Sequence, residues 1–104
     1  MTVIEILRKA RAMVARPNGW CQGRYGTAER CCMIGALNLA SGSEAQINGE
    51  SPERERAIDL LTKVTKADFL STWNDAGRRT QGQVVAAFTR AIALARRRTK
   101  KRAK

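Results

Sequence analysis

The chain has no histidine among its 104 residues, and this absence removes the commonest catalytic base. A cysteine nucleophile is usually activated by a histidine, so none of the three cysteines can belong to a Cys-His dyad. The carboxylate of Asp75 would be a poor substitute, because a nearby negative charge raises the pKa of a thiol. We therefore expect a protein that is not an enzyme and has no catalytic residue.

The chain also lacks the paired spacing of metal-binding and redox cysteines. Cys21, Cys31 and Cys32 follow the pattern C-x9-C-C, whereas zinc sites typically use CxxC or HxxxH pairs and four ligands. On a helix the adjacent side chains of Cys31 and Cys32 would point about 100° apart, so they would not chelate together. An odd number of cysteines argues against a complete disulfide framework. We expect three small buried side chains, no metal and no cofactor.

Long apolar runs are missing as well. No segment approaches the roughly 20 apolar residues that span a bilayer. Charged residues interrupt positions 1–16, which therefore lack the apolar core of a secretory signal. The sequence predicts a cytoplasmic protein with reduced thiols and no membrane partner.

Acidic residues are absent after Asp75. Residues 76–104 contain ten Lys and Arg and no Asp or Glu, whereas residues 1–75 contain ten Lys and Arg and all nine acids. Such a basic segment is suited to phosphate backbones or to another acidic surface, and a solubilising tail is the alternative. The residues predicted to bind nucleic acid or a partner are Arg78, Arg79, Arg90, Arg96, Arg97, Arg98, Lys100, Lys101, Arg102 and Lys104.

Aromatic residues make up only 5% of the chain, whereas Ala, Leu, Arg, Glu and Gln are common, which favours helices. The apolar periodicity predicts an all-α fold, a compact bundle of four to five helices with a basic C-terminal extension. Its helices are expected at 2–15, 28–40 and 51–66, in a short turn that is capped by Asp68, and from Thr80 onward. The last apolar face ends near Ala95, so we predict a helical domain at 1–95 and a basic tail at 96–104.

Local signals refine this expectation. Thr2 with Glu5 and Thr80 with Gln83 form capping-box patterns that predict two helix starts. The segment 28–40 is apolar nearly all round and is predicted to be the central buried helix. A glycine inside that helix, Gly35, suggests that another helix approaches closely there.

Two short motifs contain the chain's tryptophans and several polar side chains. The first is GWCQG at 19–23 and the second is WND at 73–75. One interpretation is a polar pocket against the two tryptophans. A second is that the loop and the turn pack together and hold each other in shape, and a third is that the polar groups bond to their own turns. The residues of the possible pocket are Trp20, Gln22, Trp73, Asn74 and Asp75.

These motifs resemble those of a small domain family of unknown function found in actinobacteria, other bacteria and their phages. The family pattern has WCQG, then a segment ending in RWCxxGAL, then WND…T…V…AI, and the resemblance spans residues 3–95. Here Cys32 aligns with the family cysteine, and Cys31 occupies the position of its tryptophan. The basic tail is not part of the shared pattern. The resemblance implies a helical fold and a phage or mobile-element setting, and it implies no activity.

Three functions remain open. The first is a non-enzymatic protein whose basic C-terminal helix and tail bind nucleic acid or a nucleoprotein complex. The second is a phage or mobile-element interaction module that inhibits or modulates a host (defence) complex. The third is a small-molecule or enzymatic pocket around Trp20, Gln22, Trp73 and Asp75.

Overall fold

The computed structural model describes the backbone of residues 1–102 and the side chains of residues 1–99. Its helices form a compact bundle, which confirms the all-α fold. They are α1 (Val3–Ala15), α2 (Met33–Ala40), α3 (Pro52–Thr65), α4 (Leu70–Asn74) and α5 (Gln81–Arg102).

The ends of the longer helices follow the local sequence signals. The Thr2 hydroxyl accepts a bond from the Glu5 amide at 3.1 Å, and the Glu5 carboxylate accepts one from the Thr2 amide. The pair of Thr80 and Gln83 repeats this capping box at the start of α5. Both predicted capping boxes are confirmed, since each depends only on residues three apart.

The core lies where α1 packs against α2, α3 and α5. Small residues on these helices, including Ala10, Ala36 and Ala91, are fully buried and allow the backbones to approach. Larger side chains such as Leu37 and Phe88 fill the remaining space, and each contributes about 1.5 to 3 kcal/mol by its burial. Six of the eight residues of α2 are buried, as predicted, but the central helix is α1, because α1 packs against α2, α3 and α5.

The prediction of a helix from residue 28 was wrong for its first five residues. The helix begins at Met33, and the Cys32 sulfur caps it by accepting a bond from the Gly35 amide at 3.4 Å. The amide of Cys31 donates instead to the carbonyl of Gly19 at 2.9 Å, and the Cys31 carbonyl accepts from the Cys21 amide. These long-range hydrogen bonds pair the backbone groups of buried Cys31 without a helix.

Two further local expectations were wrong. The close neighbour of Gly35 is not another helix, because a Cβ atom there would overlap the carbonyl oxygen of Tyr25, which lies in the loop before α2. The short helix after Asp68 begins at Leu70, and its capping residue is Phe69, which makes no side-chain cap. The loops thus approach α2 more closely than the sequence pattern indicated.

A buried polar network joins α2, α3 and the loop between them. Arg54 is only 3% exposed and donates from Nε to Oδ1 of fully buried Asn38 at 2.7 Å. Asn38 donates in turn to the carbonyl of Ala45 at 2.9 Å, and Glu55 pairs with the Arg54 guanidinium at 2.6 Å. This network provides hydrogen-bond partners for a buried cation. It was not predicted, because the sequence shows only a single polar residue, Asn38, in an otherwise apolar helix.

The last helix does not end with its apolar face. Ala95 is the last buried residue among the side chains described, up to residue 99, yet α5 continues to Arg102, so the described part of the basic extension is helical. Within residues 1–102, no helix is both long and apolar enough to cross a membrane.

Candidate functional site

Asn74, the last residue of α4, is the centre of the contact between the two tryptophan motifs. Its side chain is fully buried, and its Oδ1 accepts from Nε1 of Trp20 at 2.8 Å and from the amide of Met33 at 3.1 Å. Its Nδ2 donates to the carbonyl of Cys21 at 3.1 Å and to Oδ1 of Asp75 at 2.9 Å. One side chain therefore joins the first loop, the start of α2 and the turn after α4.

Two exposed side chains extend this contact toward the surface. Nε2 of Gln22 donates to the carbonyls of Asn74 and Ala76, at 3.0 and 2.9 Å. Oδ1 of Asp75 accepts from the amide of Gly23 at 2.9 Å. We call the contact among Trp20, Gln22, Asn74 and Asp75 the Asn74 junction.

Trp73 lies next to Asn74 in the chain, and a cation stacks on its ring. The guanidinium carbon of Arg79 lies 3.6 Å from the centre of the indole ring. Nε of Arg79 also donates to the Trp73 carbonyl at 2.9 Å, which fixes the stacked position. Arg79 thus closes the turn between α4 and α5.

The three cysteines around the junction are buried, and two of them have raised thiol pKa values. Cys31 is fully buried, and burial raises the pKa of its thiol to about 11. Burial also raises the pKa of Cys32, against the lowering effect of the amides of Gly35 and Ile34. A nucleophilic cysteine needs a lowered pKa, so these two thiols are suited to packing.

The cavity beside the junction is not formed by the five residues of the possible pocket as a group. This cavity has a volume of about 200 Å³ and is lined by Asp75 but by none of the other four. Its remaining walls come from Ser71, Cys32 and residues 23–25. The polar groups of the junction bond mainly to one another and to backbone, which matches the interpretation in which the loop and the turn hold each other in shape.

Metal ligation was not indicated by the sequence. In the part of the chain that the structure describes, no three Cys, Asp or Glu side chains are grouped closely enough to hold a metal ion.

The structure describes the side chains of six of the ten predicted binding residues, and these lie in three different settings. Arg79 stacks on Trp73, and the exposed Arg90 donates to the carbonyl of Val64 at the end of α3. Arg78 and residues 96–98 are exposed to solvent. The side chains of Lys100, Lys101 and Arg102, and the whole of Lys104, lie outside the described residues.

A family of unknown function, DUF6197, matches residues 1–94. The chain belongs to this family. No curated protein and no solved structure matches the chain.

The matched range includes the Asn74 junction and excludes the basic residues at the end of α5. It ends just before the exposed arginines at 96–98. The basic end of α5 lies beyond what the family match covers.

Proposed function

We propose that this chain is a non-enzymatic, cytoplasmic protein that binds nucleic acid, or a nucleoprotein complex, through the C-terminal part of α5. The observation that supports it is the ten Lys and Arg without an acid in residues 76–104, together with the exposure of Arg96, Arg97 and Arg98 on a continuing helix. We call residues 96–102 of α5 the basic segment.

The helical form of the basic segment favours contact with phosphates over the reading of bases. Consecutive helical residues are about 100° apart, so Arg96, Arg97 and Arg98 point to different sides of the helix. Such a rod can meet several phosphates in more than one orientation. Contacts of this kind fix affinity and position without distinguishing sequence.

Two of the predicted residues are set aside in this proposal. Arg79 is stacked on Trp73, and Arg90 bonds to the end of α3. Contact with a phosphate would require either side chain to give up its present partner. Arg78, which is exposed, and the basic segment remain the proposed binding residues.

The test is the salt dependence of binding to a fluorescein-labelled 24-base-pair DNA of mixed sequence, measured by anisotropy. Replacing Arg96, Arg97 and Arg98 together by Gln removes three cations. We expect weaker binding, and a slope of log K against log salt concentration that is less steep by about 3. The same duplex as RNA distinguishes the two nucleic acids.

The matched control removes three exposed cations elsewhere, by replacing Arg8, Lys9 and Arg24 with Gln. It has the same net charge as the test variant. Equal losses in both variants would mean that only total charge matters, and the proposal would then be wrong. Unchanged affinity of the test variant at 50 mM salt would also contradict it.

A protein-interaction role is the second candidate, and exposed aromatic residues favour it. Phe69 is 72% exposed and Tyr25 is 39% exposed, and both lie in the loops around α2 and α4. Large aromatic residues frequently contribute most of the binding energy at protein interfaces. In a phage or mobile-element setting the partner would be a host complex. A partner retained after nuclease treatment, and lost from Phe69→Ser, would favour this role.

A further inference from the structure

A second cavity is lined by no residue of the two tryptophan motifs. It has a volume of about 470 Å³ and lies among the start of α1, the first turns of α3 and the end of α5. Cavities of roughly 300 to 1,000 Å³ are the usual size for small organic ligands. Neither the composition nor the family match assigns a role to this place.

The cavity exists because α5 continues after the core has ended. Ala95, Arg98 and Thr99 are spaced i, i+3 and i+4, so they share one face of the helix. Ala95 is buried, whereas Arg98 and Thr99 are exposed where the core would have placed apolar side chains. The helix thus projects over the first turns of α1 and α3, and a groove lies between it and them.

The walls of the groove combine apolar and cationic surface. Val3 and Ile4 of α1 are half-buried there, and Leu60 of α3 and Ala95 of α5 complete an apolar lining. A ligand that removes apolar surface of this kind from water is stabilised in the groove by about 25 cal/mol per Å² of buried surface.

The charged side chains of the groove belong to two arginines and one acid, and Thr2 and Thr99 also line it. Arg56 and Arg98 line it and are exposed, and neither makes an ion pair with a carboxylate among the described residues. The acid is Glu53, whose Oε2 accepts a bond from the hydroxyl of Ser51 at 3.1 Å. The lining therefore has a surplus of positive charge beside an apolar wall.

We propose that this groove binds a small amphipathic anion, a carboxylate attached to a short aliphatic chain. The guanidinium groups of Arg56 and Arg98 hold the carboxylate, since charge-assisted bonds from arginine to carboxylate are the strong ones. The aliphatic chain lies against Val3, Ile4 and Leu60. The proposal shares Arg98 with the proposed nucleic-acid surface and differs from it in Arg56, which lies in α3.

The test uses octanoate and 1-octanol, which have the same number of carbons and differ in charge. Binding is followed by the amide resonances of the ¹⁵N-labelled protein. We expect saturable shifts at Val3, Ile4, Leu60 and Ala95 with octanoate. Binding of 1-octanol should be at least about tenfold weaker, because it lacks the anion. This comparison needs only the unmodified protein.

Variants then identify the cations involved. The double variant Arg56→Gln, Arg98→Gln should bind octanoate at least about tenfold more weakly. The control Lys63→Gln, Arg97→Gln removes two exposed cations from the same two helices, outside the groove, and should retain the affinity within about twofold. Shifts spread over the surface, equal binding of octanoate and 1-octanol, or equal losses in both double variants would each overturn the proposal.

Discussion

The Asn74 junction and the basic segment use polar side chains in opposite ways. At the junction the polar groups of fully buried Asn74 are bonded to the protein, and within the described residues no buried side-chain nitrogen or oxygen lacks a partner. In the basic segment Arg96, Arg97 and Arg98 are exposed. The first arrangement stabilises a fold, whereas the second leaves cations available for a ligand. The polar residues that look most like a site in the sequence thus bond mainly to one another and to backbone.

The largest expected effect in this comparison is that of Asn74→Ala. Truncation leaves the indole N–H of Trp20, the amide of Met33 and the carbonyl of Cys21 without their partner. We expect the free energy of unfolding in urea to fall by about 3 to 4 kcal/mol, since each buried polar group left unpaired costs roughly 1 to 3 kcal/mol. The control Arg97→Ala should change it by less than about 0.5 kcal/mol. A loss below about 1 kcal/mol at Asn74 would contradict a structural role.

The second prediction concerns Cys31, which is buried next to the junction. Its pKa rises from about 9 to about 11 on folding, so the native state holds the proton more tightly than the unfolded chain. Its contribution to stability is complete below pH 9 and is lost as the pH rises toward 11. The stability advantage of the unmodified protein over Cys31→Ala should therefore narrow by about 2 to 3 kcal/mol between pH 8 and pH 11. A constant difference would mean that the thiol titrates normally.

The smallest predicted change separates two neighbouring arginines that the sequence analysis grouped together. Arg79→Ala removes the cation over Trp73 and should lower the free energy of unfolding by about 1 kcal/mol. Arg78→Ala should change it by less than about 0.5 kcal/mol, because Arg78 is exposed. Thermal unfolding of both variants measures the contrast. Equal losses of stability in the two variants would mean that the contact of Arg79 with Trp73 does not stabilise the fold, and that Arg79 behaves like the exposed arginines of α5.

Features of the fold that depend on near neighbours in the chain could be predicted. The capping boxes at Thr2 and Thr80 need only a partner three residues away, and both were correct. The apolar character of α2 likewise showed that it is a buried helix. The end of α5 could not be taken from its apolar face, since arginine and lysine favour helix even where nothing packs.

Features that depend on distant segments could not be predicted in the same way. The apolar run at 28–40 suggested a helix throughout. The carbonyl of Gly19, in a distant loop, instead accepts the hydrogen bond of the Cys31 amide, so this amide needs no helical partner. The partnership of Asn74 with Trp20 joins positions 54 residues apart. The sequence suggested that these residues lie together, yet only the distances separate a bonded junction from an open pocket.

The most direct test of the account is a titration of the ¹⁵N-labelled protein with an unlabelled DNA duplex, followed through the backbone amides. The account predicts that the largest shifts occur at Arg78 and at residues 96–102, with little change at Gln22, Gly23, Asn74 and Asp75. The opposite result, with the largest shifts at the Asn74 junction and none in the basic segment, would contradict it.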